Sequence, residues 1–193
     1  MGGVADLDLR GVGPDHATVK SDPYPRWRYY PAWRRPPEWV FELTSAVGLI
    51  EESVGSERAH FTSNQVLLLL KPALEGLGYQ VESKKKLPRP VLFGDEGSIL
   101  KSFSVDAFHA GLGIALEVES GGAMYNNRVL LDLIKMCIAV DVQFGVIAVP
   151  VEYTTPRKTW AAPYAEALKL FESIYANPER LRIPLEGMLL LGY

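Results

Sequence analysis

The sequence predicts an α/β fold, a central mixed sheet flanked by helices in the order αβββαβ, and three stretches predict it. Residues 63–78 carry apolar side chains at near-helical spacing and end on glycines. Residues 103–118 alternate as a strand, turn at Gly111-Leu112 and alternate again, the pattern of a hairpin with a two-residue Gly-X loop. The chain then supplies an apolar helix and a continuous apolar run ending at Pro150, which suits a buried central strand. At 193 residues, with 48 % hydrophobic and 22 % charged side chains, the length and composition are those of one ordinary globular domain.

Taken in order, residues 1–21 hold little apolar periodicity and are expected to form a loose arm. Residues 22–40, DPYPRWRYYPAWRRPPEWV, differ sharply. Their five prolines forbid a long helix, and Trp27, Tyr29, Tyr30, Trp33 and Trp39 interleave with Arg26, Arg28, Arg34 and Arg35. Arginine binds phosphate and aromatic rings stack, so the stretch suits a DNA- or dimer-contacting arm. An extended segment draped over the domain with its rings buried has the same composition. The expected division is an extended arm over 1–40 and a single domain over 41–193.

A short helix is expected after residue 38, then a loop. The next helix starts with Thr62 or Ser63 as its cap, carries Val66, Leu69, Leu70 and Ala73 on one face, and meets a kink or break at Pro72. A short strand at 79–83 leads to Lys84, Lys85 and Lys86, and Pro88, Pro90 and Gly94 predict a loop over 88–97. A strand over 100–109 carries Asp106. With an even-numbered loop, Ala110 faces Gly113, Phe108 faces Ala115 and Asp106 faces Glu117, and alternation puts Glu119 on the face of Glu117. Ile114, Leu116 and Val118 make the other, core face. His109 turns away from Asp106 and reads as structural.

That register gathers three carboxylates on one patch. Facing β-carbons lie about 5 Å apart and like charges there destabilise the pair, by roughly 3 kcal/mol at an effective dielectric of about 20. A divalent cation is the usual offset, and hard oxygen ligands favour Mg²⁺, with Mn²⁺ as the alternative.

Beyond Glu119, the Ser120-Gly121-Gly122 link leads to a helix over about 126–140. It is apolar nearly all round except at Arg128, Asp132 and Lys135, which fall on one stripe at i, i+4 and i+7. The stripe reads as the solvent-facing line of a buried helix. The sharper alternative is that Lys135 or Arg128 reaches towards the acids. Residues 151–161 are expected to loop with Arg157, Lys158 and Trp160 exposed. Pro163 opens a helix to about residue 177, and one or two strands follow, confined to an edge by Pro184.

An Asp near the end of one strand, Glu-x-Glu on the next, then a helix and a strand, resembles the PD-(D/E)XK nuclease core. With Glu119 where most members have Lys, it is most similar to the BamHI/BglII group of type II restriction endonucleases. The upstream SNQVLLLLKPALEGLGYQVE is similar to that group's first core helix, with Asn64 early in it. The resemblance implies a restriction-endonuclease-like core and a metal-dependent deoxyribonuclease. In it Asp106, Glu117 and the Val118 carbonyl hold Mg²⁺, Glu119 orients or deprotonates the attacking water, and Asn64 lies near the metal. Lys135 is the candidate for the positive charge that the missing motif Lys supplies elsewhere. Double-stranded DNA is the implied substrate and a homodimer the implied assembly.

The formal net charge of −3 does not announce a nucleic-acid binder, so a DNA enzyme of this composition must place its cations locally. One cysteine, Cys137, excludes an internal disulfide, and no Cys/His cluster supports zinc. The N-terminus lacks a signal pattern and no run approaches roughly 18 apolar residues, which makes a cytoplasmic protein with no membrane partner the expectation. The rival to an endonuclease is a catalytically inactive DNA-binding or protein-interaction module on the same core.

Overall fold

The structure, a computed structural model, describes residues 24–50, 53, 61–120, 127–154 and 160–193. In chain order its elements are β1 (Arg26–Tyr30), α1 (Glu38–Gly48), α2 (Ser63–Gly76), β2 (Gln80–Val81), β3 (Leu87–Phe93), β4 (Ile99–Val105), β5 (Ala107–His109) and β6 (Ile114–Val118). They continue with α3 (Arg128–Ile138), β7 (Phe144–Val149), β8 (Tyr153–Thr154), β9 (Trp160–Ala161), α4 (Pro163–Tyr175) and β10 (Gly187–Gly192). The central sheet is mixed and runs β1-β10-β7-β6-β5-β2. Its inner strands β10, β7 and β6 are parallel, while β1, β5 and β2 pair antiparallel to their neighbours.

Helices cover both faces because the strands are apolar on both. On one side Leu43 and Val47 of α1 and Leu70 and Leu74 of α2 pack on Ile114, Leu116, Val118, Val146 and Leu189. On the other, Val129, Leu133 and Met136 of α3 and Phe171 of α4 pack on Ala115, Ile147, Val149 and Leu190. Glu117 belongs by alternation to the α3 side, in line with Ala115. The β5–β6 register is the expected one, with Ala107 opposite Leu116, Phe108 opposite Ala115 and His109 opposite Ile114. The loop is longer than two residues: the strands stop at His109 and Ile114, and Leu112 N–H bonds back to the His109 carbonyl and Nδ1. Both lengths are even, so the pairing is unchanged.

Several expectations are corrected. The strand over 100–109 is two strands that part at Asp106: β4 pairs with β3 in a separate two-stranded sheet, and β5 enters the central one. The loop over 88–97 is largely β3, which holds Pro88 and Pro90 because a strand with one partner can leave its other edge without donors. Helix α2 runs unbroken through Pro72, opened by a capping box between Thr62 and Gln65. The strand after Pro184 is not at an edge. β10 starts beyond the proline and lies between β7 and β1, fully buried.

The arm expected over 1–40 enters the sheet at Arg26, where β1 pairs with β10 along its whole length and Tyr29, Tyr30 and Trp39 are buried. Residues 1–23 of the arm, the glycine link after Ser120, and Arg157 and Lys158 lie outside the described residues. Among those described, no helix is long and apolar enough to cross a membrane.

Candidate active site

The bend between β4 and β5 sets the site. At it, the Asp106 carbonyl accepts a 2.7 Å hydrogen bond from Glu82 N–H, and Asp106 Oδ2 accepts one of 2.8 Å from Val118 N–H. The carboxylate is thereby tied across the sheet to the backbone that follows Glu117. Just past the end of β6, Glu119 is fixed through its main chain. Its N–H donates to the Ala148 carbonyl at 2.8 Å, and its carbonyl accepts from the Tyr193 hydroxyl at 2.6 Å. Burial of Glu117 and Glu119 leaves each only 7 % exposed.

Helix α3 lays its charged stripe over these acids. Asp132 is 2 % exposed and accepts a hydrogen bond from Lys135 Nζ at 2.6 Å, while the same ammonium lies 3.8 Å from Glu117 Oε1. Arg128 lies 3.8 Å from Glu119 Oε2. The solvent-facing reading of this stripe is therefore overturned. Leu131, Ile134 and Ile138 face water, and the charged line faces the sheet. Burying three carboxylates beside a half-buried fourth, Asp106, costs several kcal/mol each unless they are paired, and two cations meet only part of that. Glu117 Oε1 and Asp132 Oδ2 are buried with no hydrogen-bond partner.

The carboxyls respond by holding protons. Burial, then the charges of Asp106 and Asp132, push Glu117 up to about 9, and a hydrogen bond to Asp106 keeps the proton on Glu117. Burial, then Asp132 by charge and by hydrogen bond, push Glu119 up to about 7. Asp106 is raised by burial, against the opposing Val118 N–H. Lys135 is raised: burial favours its neutral form, but Asp132, Glu117 and Glu119 together outweigh that. The acids thus act on one another in two pairs, Asp106 with Glu117 and Asp132 with Glu119. Among the described residues, no three Asp, Glu, His or Cys side chains form a ready-made metal-holding group. The donor chemistry suits a hard cation at the level of these pairs, since buried carboxylate oxygens without donors are what such an ion binds.

Of the residues named from sequence, Asp106, Glu117, Glu119 and Lys135 come together, with Val118 bonded to Asp106 through its N–H. Asn64 does not join them. It is exposed on the first turn of α2, the helix on the opposite face of the sheet, and no hydrogen bond links it to the acids. Asp132 was missed as a site residue. Its signal was present in the stripe it shares with Lys135, on a helix whose other faces are all apolar.

A mixed sheet of this order, covered by helices on both faces and carrying paired acids at a strand bend, is a restriction-endonuclease-like core. The family model described as "Putative halobacteria restriction endonuclease" matches residues 38–178, and the chain belongs to that family. The match takes in every acid of the site and stops short of β1 and β10, which complete the sheet. No curated protein matches the chain.

Proposed function

We propose that the chain is a Mg²⁺-dependent DNA endonuclease of the PD-(D/E)XK kind, with the acidic third motif position of the BamHI/BglII group. The observation that carries this reading is the meeting of Asp106 and Glu117 at the β4–β5 bend, with a buried Glu117 oxygen that has no partner. Asp106, Glu117 and the Val118 carbonyl would hold the ion. When bound, Mg²⁺ (or Mn²⁺) supplies Lewis-acid stabilisation of the phosphate and lowers the pKa of a water. Glu119, with a proton affinity near neutrality, is suited to orient that water and take its proton. Lys135 supplies positive charge beside Glu117, which the acidic third position does not. Asn64, exposed on α2 on the other face of the sheet, has no role in this reading.

The substrate is double-stranded DNA, cut by a cytoplasmic homodimer. The test is incubation of plasmid DNA with the protein and Mg²⁺. Nicked or linear product that disappears with EDTA and with Glu117→Ala supports the reading. Binding of DNA with no cleavage under any divalent cation would favour the inactive module.

A further inference from the structure

Asp132 is the most buried charged side chain described, at 2 % exposure, and it comes from a helix rather than from the strands that carry the motif acids. It accepts a hydrogen bond from Lys135 at 2.6 Å, the same ammonium that lies 3.8 Å from Glu117 Oε1, and its charge acts on Glu119, Glu117 and Asp106. Through Lys135 it is joined to Glu117. Its Oδ2 is buried without a partner, and Lys135, with a side chain 32 % exposed, leaves the pair only half shielded from water.

A salt bridge needed only to fix α3 would not require a buried partner. The outer face of the same helix has room for an i,i+3 pair in water. Charge balance gives the position a purpose. Once a bound cation has displaced their protons, Asp106, Glu117, Glu119 and Asp132 set against Lys135 and Arg128 leave a formal excess of two negative charges, which one divalent cation cancels.

We infer that Asp132 is a fourth acid of the cation site, supplied by α3 opposite the motif acids, so that the ion is held between sheet and helix. The inference rests on the metal-dependent reading above. An acid kept against its neighbours for binding is a stability cost in the metal-free state, whereas a structural anchor is a gain.

The experiment is Mn²⁺ titration of the metal-free full chain, followed by calorimetry and by the paramagnetic resonance of free Mn²⁺, with thermal melting of the same samples. Wild type, Asp132→Asn, Asp132→Ser and Glu117→Gln are compared. The expected result is Mn²⁺ binding about 10-fold or more weaker in both Asp132 variants, with Asp132→Asn melting at or above wild type without metal. Wild-type Mn²⁺ affinity in both Asp132 variants, with loss in Glu117→Gln, overturns the inference and leaves the nuclease reading standing. Both Asp132 variants melting several degrees below wild type without metal also overturns it, by assigning Asp132 to a structural pair with Lys135. A wild-type chain that binds no Mn²⁺ overturns the inference together with the reading beneath it.

Discussion

Glu117 concentrates the chemistry of the site into one side chain. A carboxyl raised from 4.5 to about 9, chiefly by burial, binds a proton in the folded state that the unfolded chain has released. The stability it contributes is fully present below about pH 4.5, the value of the unfolded group, and is lost as pH rises through about 9. Metal-free protein should therefore become easier to unfold in urea between these limits. Glu119 adds to the loss up to about 7. Glu117→Gln should flatten the profile, and Mg²⁺ should restore stability at the alkaline end. An unfolding midpoint independent of pH over this range would contradict the burial account.

Lys135→Ala should lower cleavage by about 10²–10³, as removal of a single electrostatic stabiliser does elsewhere, with Lys135→Arg retaining part of it. Unchanged cleavage by the alanine variant would remove Lys135 from the mechanism. At this scale the sequence was legible where periodicity decides. Strand alternation placed Glu117 with Glu119, and the even length of the loop faced Asp106 to Glu117. It was illegible for Asp132, because a charged stripe on an apolar helix is ordinarily its wet side, and here Leu131, Ile134 and Ile138 are wet instead.

Among the elements, α2 owes its start to a reciprocal cap. Thr62 Oγ1 accepts from Gln65 N–H, and Gln65 Oε1 accepts from Thr62 N–H. Thr62→Ala should cost about 1 kcal/mol in denaturant unfolding and leave cleavage intact, since the cap is remote from the acids. β10 needs a glycine at its start for a different reason. A β-carbon at Gly187 would lie 1.9 Å from the Tyr29 hydroxyl of β1, so Gly187→Ala should destabilise by about 1–3 kcal/mol through overpacking. The check is its unfolding midpoint beside that of wild type.

The misread elements share one cause, which is that edge or centre is decided by partners far away in the chain. Pro184 argued for an edge, yet β10 is central because β1, more than 150 residues earlier, closes its outer side. Pro88 and Pro90 argued against a strand, yet β3 needs donors only towards β4. The break at Asp106 follows similarly, because β3 takes the run up to Val105 and β2 pairs with it only from Ala107 on.

For the molecule as a whole, a formal charge of −3 fits a DNA enzyme only if cations gather where the phosphate lies. Arg128 and Lys135 are the cations at the acid cluster that the proposed function assigns this role, with Arg128 still largely exposed. The helix–sheet–helix layering packs α3 on the face of β7, so one helix face brings charge of both signs to Glu117 and Glu119 on the neighbouring strand end. Family membership over 38–178 fits this plan, since the matched span contains the bend, β6 and α3 together.

The central claim is that Glu117, beside Asp106, serves a cation that cleaves DNA. Its most direct measurement is the single-turnover cleavage rate of one duplex in Mg²⁺ by wild type and by Glu117→Gln, with metal-free DNA affinity measured alongside. The account predicts a rate at least about 10³ lower in the variant with affinity unchanged or tighter. Equal rates in the two proteins would contradict it.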